Sequence, residues 1–339
     1  MSRRRSFGIA FPFLILALVV GGWTVWWFTL VSRLEAGLDQ GAARLREAGW
    51  EISHAEPIVT GWPFRARLEL ADVEVVMPSG HGLRSEHMLA EALAYQPDRW
   101  VLMAPDGLSL GRGAKGWTSV TGQALRASVS GLSRTPPRVV VELNQPRFAA
   151  EAGAAPFPIA SAERLIINLI PGDATGADEA GLLFELTGAA GRPGGPLEAM
   201  AEQRPFDLSA EAVIGQAGAL DGATWTEALS AWAREGGALT EVRTEATAGE
   251  DYIRGASDQL MADANGRMTG DFRIDMRGGT APLVGLASAP GVDPQAAAAV
   301  RLGVQITSGL RGDTGLTFRF TDGRTRVGPI DLGPAPKVF

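Results

Sequence analysis

Several short stretches of this chain hold residue types that do chemistry. Gly107-Leu108-Ser109-Leu110-Gly111 satisfies G-x-S-x-G, a turn that presents a nucleophilic serine. In that hydrolase pattern a histidine base follows the serine along the chain. Here His54, His81 and His87 all precede Ser109, so the stretch reads as a Gly-rich loop rather than a catalytic elbow. Gly111-Arg112-Gly113-Ala114-Lys115-Gly116 satisfies G-x-G-x-x-G, which holds a pyrophosphate only where a helix starts directly after it. WTSVTGQALRASVSG follows instead, rich in Thr, Val and Ser, and reads as strand. A nucleotide site is not expected. His81, Glu86 and His87 are spaced H-x-x-x-x-E-H, whereas zinc-binding helices set their ligands one turn apart. They read as solvated loop residues. The carboxylate pairs Asp178-Glu179 and Glu250-Asp251 lie among turn residues and read as surface. Cysteine is absent, which removes disulfides, thiolate metal sites and thiol catalysis together. The expectation is a protein with no catalytic residue, no cofactor and no metal, and not an enzyme.

The element that positions everything else is at the N-terminus. No charge occurs from Phe7 to Ser32. About 20 apolar residues, rising 1.5 Å each, cross the hydrocarbon of a bilayer. Arg3, Arg4 and Arg5 stand on one side of this run, and Trp23, Trp26, Trp27 and Phe28 near the other, as in an interfacial aromatic belt. Basic residues stay cytoplasmic, so the bulk of the chain is expected across the membrane. A cleaved export signal needs a shorter apolar core and a small-x-small site, but tryptophans fill that zone. Arg4-Arg5-Ser6-Phe7 resembles a twin-arginine signal, yet the strength of the apolar run favours a retained anchor. The expected order is a cytoplasmic tail over 1–6, a membrane-spanning signal-anchor helix over 7–31, and an amphipathic connecting helix over 32–49 ended by Gly49.

Beyond the anchor the period changes to two. Phe64, Ala66, Leu68 and Leu70 alternate with Arg65, Arg67 and Glu69, then the phase slips after Ala71 so that Val73, Val75 and Met77 become the apolar set. A one-residue bulge is the expected cause. Further strands are expected over 139–145, 164–170, 181–188 and 206–215, with hairpin turns at Asn265-Gly266 and Asp322-Gly323. Helices are fewer: one is capped at Thr224 and Glu227 and runs through Trp225, Leu229 and Trp232, with others over 281–289 and after Asp293-Pro294. The Gly-Pro-rich stretch 191–196 separates a first β-rich half, 50–190, from a second, 197–339. A net charge of −7, spread along the chain, argues against nucleic acid.

Three segments carry a family resemblance. Gly61-Trp62-Pro63-Phe64-Arg65 resembles the G-aromatic-P-F-[RK] step of a bacterial family of unknown function, number 2125 in the domain-of-unknown-function series. Residues 236–278 look like its Gly-punctuated repeat of short strands, and DGRTRVGPIDLGPAP (322–336) is similar to its ending. The middle also resembles the wider AsmA-like envelope proteins. The resemblance implies a mainly β fold with a long curved antiparallel sheet, as an open groove or two-layer sandwich, behind one transmembrane helix. It brings no site residues. The location it implies, together with the charge asymmetry, is the bacterial inner membrane, single-pass, with the bulk periplasmic. The expected role is envelope or lipid homeostasis through an apolar sheet face; the alternative is a scaffold for an envelope protein with no lipid ligand. At the membrane exit, Gly61 and Pro63 are expected to turn the chain, with Trp62 and Phe64 packed as core over the sheet end.

Overall fold

The structure, a computed structural model, describes residues 7–172, 178–193, 205–222, 224–277 and 314–339. Arg3, Arg4 and Arg5, residues 194–196 of the Gly-Pro stretch, and the helices expected over 281–289 and after Asp293-Pro294 lie outside the described residues.

Helix α1 (Phe7–Glu47) is uninterrupted, so the apolar run and the amphipathic segment after it form one rod. Phe13, Leu16, Leu18 and Val19 project from it without cover from the rest of the chain. It stops where Gly49 takes φ +85°, a backbone conformation that costs glycine little. Gly49 N–H then donates to Arg46 O (2.9 Å) and Trp50 N–H to Leu45 O (3.0 Å), closing the last turn.

The chain next lays down β1 (Glu51–Ser53), β2 (Ile58–Thr60), β3 (Arg65–Val76), β4 (His81–Leu93) and β5 (Gln96–Met103). Short strands follow: β6 (Leu108–Arg112), β7 (Trp117–Thr121), β8 (Ala124–Ser130), β9 (Arg138–Asn144), β10 (Arg147–Ala150) and β11 (Ile159–Ser161). Longer ones come after: β12 (Arg164–Pro171), β13 (Glu179–Gly191), β14 (Phe206–Gly215), β15 (Ala238–Ala248), β16 (Asp251–Ala262) and β17 (Met268–Arg277). The chain ends in β18 (Thr314–Thr321), β19 (Arg324–Val327) and β20 (Ile330–Pro334). Helix α2 (Trp225–Arg234) bridges β14 and β15, capped by the Thr224 hydroxyl, which accepts from Glu227 N–H at 3.2 Å.

All of these strands belong to one antiparallel sheet. It forks at β4, whose Leu89–Leu93 stretch pairs β5 and whose His81–Arg84 stretch pairs β6. One branch continues β5–β8–β9–β12 and the other β6–β7–β10–β11; both rejoin on β13. The two expected halves are thus joined edge to edge, with β13 pairing β14 on either side of the Gly-Pro stretch.

The phase slip after Ala71 is real, but it is not a one-residue bulge. Ala71 faces His87 and Val73 faces Ser85, so the register is unbroken. Asp72 adopts φ +51° and both strands turn over together. Buried Ser85 fixes the inversion, its hydroxyl reaching His87 O and Gly107 O, both at 2.9 Å. The same device recurs in the second half. Glu241 adopts φ +51°, Val242 faces Ser257, and the buried Ser257 hydroxyl reaches Gln259 O (3.1 Å) and Asp271 O (2.6 Å). The turns differ from expectation at one site. Asp322-Gly323 is a two-residue hairpin with both residues at positive φ, whereas Asn265-Gly266 sits in a longer turn closed by Asp263 and Arg267, with only Gly266 at positive φ.

Candidate functional site

The three belt tryptophans each donate an indole N–H to a backbone carbonyl rather than simply flanking the apolar run. Trp23 Nε1–H donates to Pro63 O (2.7 Å), Trp27 Nε1–H to Arg65 O (2.8 Å) and Trp26 Nε1–H to Ala94 O (3.4 Å). Trp27 is only 5% exposed and packs with Val31, Ala94 and Val59. The helix is therefore latched to the chain corner that begins β3 and to the turn between β4 and β5. Sequence reasoning missed this role, because the acceptors are backbone carbonyls and carry no residue-type signal. The corner itself departs from expectation. Trp62 is 51% and Phe64 65% exposed, so these aromatics are not core. The backbone bond Ala94 N–H to Phe64 O (2.9 Å) holds Phe64 beside Tyr95, itself 60% exposed.

From this latch an apolar row crosses the sheet. By register, Leu68 on β3 faces Ala90, then Leu102, Ala127, Val141 and Ile167. The row continues through Phe184, Ala210, Thr244, Gly255, Ile274 and Leu316 on β18. At about 4.8 Å per strand, its twelve members span roughly 50 Å. A parallel row, Leu125, Leu143, Leu165, Leu186 and Leu208, lies two residues along the strands. Because side chains alternate across a pleated strand, all these residues share one face. Most are half-buried: Val141, Ile167, Phe184 and Ile274 keep a share of their surface open. At one end α2 covers the face, with Leu229 and Trp232 against Ile214, Ala180 and Leu169. Trp232 Nε1–H donates to Gly215 O at 2.7 Å.

The opposite face is ionic. Glu91 takes both Arg65 (2.6 Å) and Arg67 (2.9 Å), and Glu142 sits between Arg126 and Arg164, the latter at 2.7 Å. Glu211 pairs Arg243, Glu245 pairs Arg254 and Asp271 pairs Arg319, each across a strand boundary. The Arg126 guanidinium, joined by Arg164, holds the Glu142 carboxyl below its ordinary range against the opposing effect of burial. The sheet is two-faced, greasy on one side and salt-bridged on the other.

The residues singled out for chemistry gather around the fork. A hollow of about 430 Å³ is lined by Asp72, Ser85, Glu86, Asp106 and Ser109. His87 Nδ1 lies 2.7 Å from Asp106 Oδ2, a hydrogen bond that raises the imidazole pKa. Ser109 faces Arg84, three residues from His87 along β4, so about 10 Å of strand separates the serine from the base. No hydrogen bond joins them among the described residues. His81 and His87 lie on β4 and not in a loop, though both are exposed, and His81 meets the Ser79 hydroxyl at 3.0 Å. No group of three metal-binding side chains occurs among the described residues. Within the second glycine motif the chain makes one 3-10 turn, Gly113–Lys115, and directly after the motif it enters β7. Asp178 holds backbone: its Oδ1 accepts Gly218 N–H at 2.7 Å.

Fold and site together define a mainly β protein in which one large antiparallel sheet is latched to a long apolar N-terminal helix able by length and composition to span a membrane. Residues 27–336 match the family described as an uncharacterized protein conserved in bacteria (DUF2125), and the chain belongs to that family. No curated protein and no solved structure matches the chain.

Proposed function

We propose that this is a single-pass bacterial inner-membrane protein, N-terminus in the cytoplasm and sheet in the periplasm, whose apolar trough holds lipid acyl chains in envelope lipid homeostasis. The observation that carries the reading is the register-aligned row from Leu68 to Leu316, apolar except at Thr244, half-open and beginning on the strand that is latched to α1. Removing a methylene from water contributes about 0.8 kcal/mol, so an acyl chain lying in such a trough relieves both its own exposure and that of the sheet. The ionic reverse face is suited to water and leaves the trough as the side that needs cover. The Arg3-Arg4-Arg5 tail supports this orientation, since basic residues stay cytoplasmic. The AsmA-like resemblance of the middle region points the same way. Mass spectrometry of the full chain, purified in detergent and exchanged to lipid-free amphipol, tests it. Phospholipid should remain bound to the native chain and be depleted in Phe184→Asp, while Glu185→Gln on the reverse face keeps it. A lipid-free native chain, with a stable envelope protein captured instead, would favour the scaffold reading.

A further inference from the structure

We infer that the corner formed by Trp62, Phe64 and Tyr95 is a foot that seats the sheet in the headgroup layer of the bilayer crossed by α1. The inference rests on the membrane-spanning reading of that helix. Trp27 lies twenty residues beyond Phe7, or about 30 Å at 1.5 Å per step, the thickness of the hydrocarbon core. Trp27 therefore sits one hydrocarbon thickness from the start of the apolar run. Its bond to Arg65 O, with that of Trp23 to Pro63 O, fixes the corner at the same height. At this height Trp62, Phe64 and Tyr95, more than half exposed at 51, 65 and 60%, flank the backbone bond from Ala94 N–H to Phe64 O. Exposed tryptophan and tyrosine on soluble surfaces are costly in number, but at a bilayer interface their amphipathic rings are stabilised. The occupant of this surface is the lipid interface itself. A second copy or a protein partner would not require the aromatics to share the depth of the helix exit. Seated in this way, the foot brings the β3 end of the trough to the leaflet surface.

The absence of native cysteine allows one thiol to be placed at will. Phe64→Cys and Tyr95→Cys are labelled with an environment-sensitive fluorophore. The controls are Ser79→Cys and Glu250→Cys in the turns at the other end of their strands, and Val19→Cys in α1. The full chain is reconstituted in phosphatidylethanolamine–phosphatidylglycerol vesicles carrying a nitroxide near the headgroup or deep in the acyl chain. Headgroup-level quenching should be at least about twofold stronger at positions 64 and 95 than at 79 and 250, with Val19 quenched by the deep probe. Quenching at 64 and 95 equal to that at 79, with Val19 quenched, overturns the foot and leaves the span intact. A blue shift at 64 and 95 without quenching identifies a protein contact and also overturns it. An unquenched Val19 removes the span and the foot together.

Discussion

Trp27 shows how much one side chain contributes here: it is buried, it packs against Val31 and Ala94, and its only polar atom caps the Arg65 carbonyl. Trp27→Phe keeps an aromatic ring but leaves that carbonyl without its donor, a loss of about 1.4 kcal/mol. Amide exchange over 61–66 should rise roughly tenfold in the variant while exchange in β12–β15 is unchanged. Glu142 is 13% exposed and lies between two guanidinium groups. Its carboxyl is held low, so its stabilising contribution is present above about pH 4.3 and is lost as pH falls through the lowered value. Glu142→Gln should lower stability to urea by ~1 kcal/mol at pH 7, and the difference should vanish near pH 2. His87 behaves in the opposite sense. Paired with Asp106, its pKa is raised, so the pairing is fully present below about pH 6.5 and fades as pH climbs through the raised value. NMR titration should show the His87 imidazole returning toward its ordinary value in Asp106→Asn.

At the scale of elements, α2 is the one helix whose docking can be tested by a single methyl group. A Cβ at Gly237 would overlap the indole of Trp232, which α2 buries against Ala180 and Ile214 and which bonds to Gly215 O. Gly237→Ala should expel the ring, cost ~2–3 kcal/mol and reduce the near-ultraviolet dichroism of the indole. This helix was legible in the sequence because Thr224, Leu229 and Trp232 fall at capping and facing positions. The strands β9, β12, β13 and β14 were legible for a similar reason, since short apolar segments separated by Gly and Pro have few other uses. The fork at β4 was not. A strand that pairs β5 along one stretch and β6 along another carries no mark of it in residue type. The phase slip was visible, but its cause was misread, because a left-handed aspartate with a matching inversion across the strand leaves the same apolar pattern as a bulge. The latch was hidden for a different reason: tryptophans near a membrane exit suit lipid and carbonyl partners equally well.

Across the whole molecule, the sheet is apolar on one face and ionic on the other, and that asymmetry is what makes the site. Each row position on its own is an ordinary strand residue. Only the register, carried through twelve strands, aligns Leu68, Ile167, Phe184 and Ile274 into one row. For this reason the site was only partly legible: alternation showed that each strand has a greasy side, while the alignment of those sides depends on pairing. The twin inversions at Asp72 and Glu241 repeat one device in both halves of the sheet. Adjacent residues on β13 offer the most direct test, since Phe184 faces the trough and Glu185 the ionic side. A photo-reactive benzoylphenylalanine placed at either position in the full chain, irradiated in intact cells, reports what touches each face. Phospholipid adducts at 184 and none at 185 are the expected result; no lipid adduct at 184, or equal adducts at both, would contradict a lipid-holding trough.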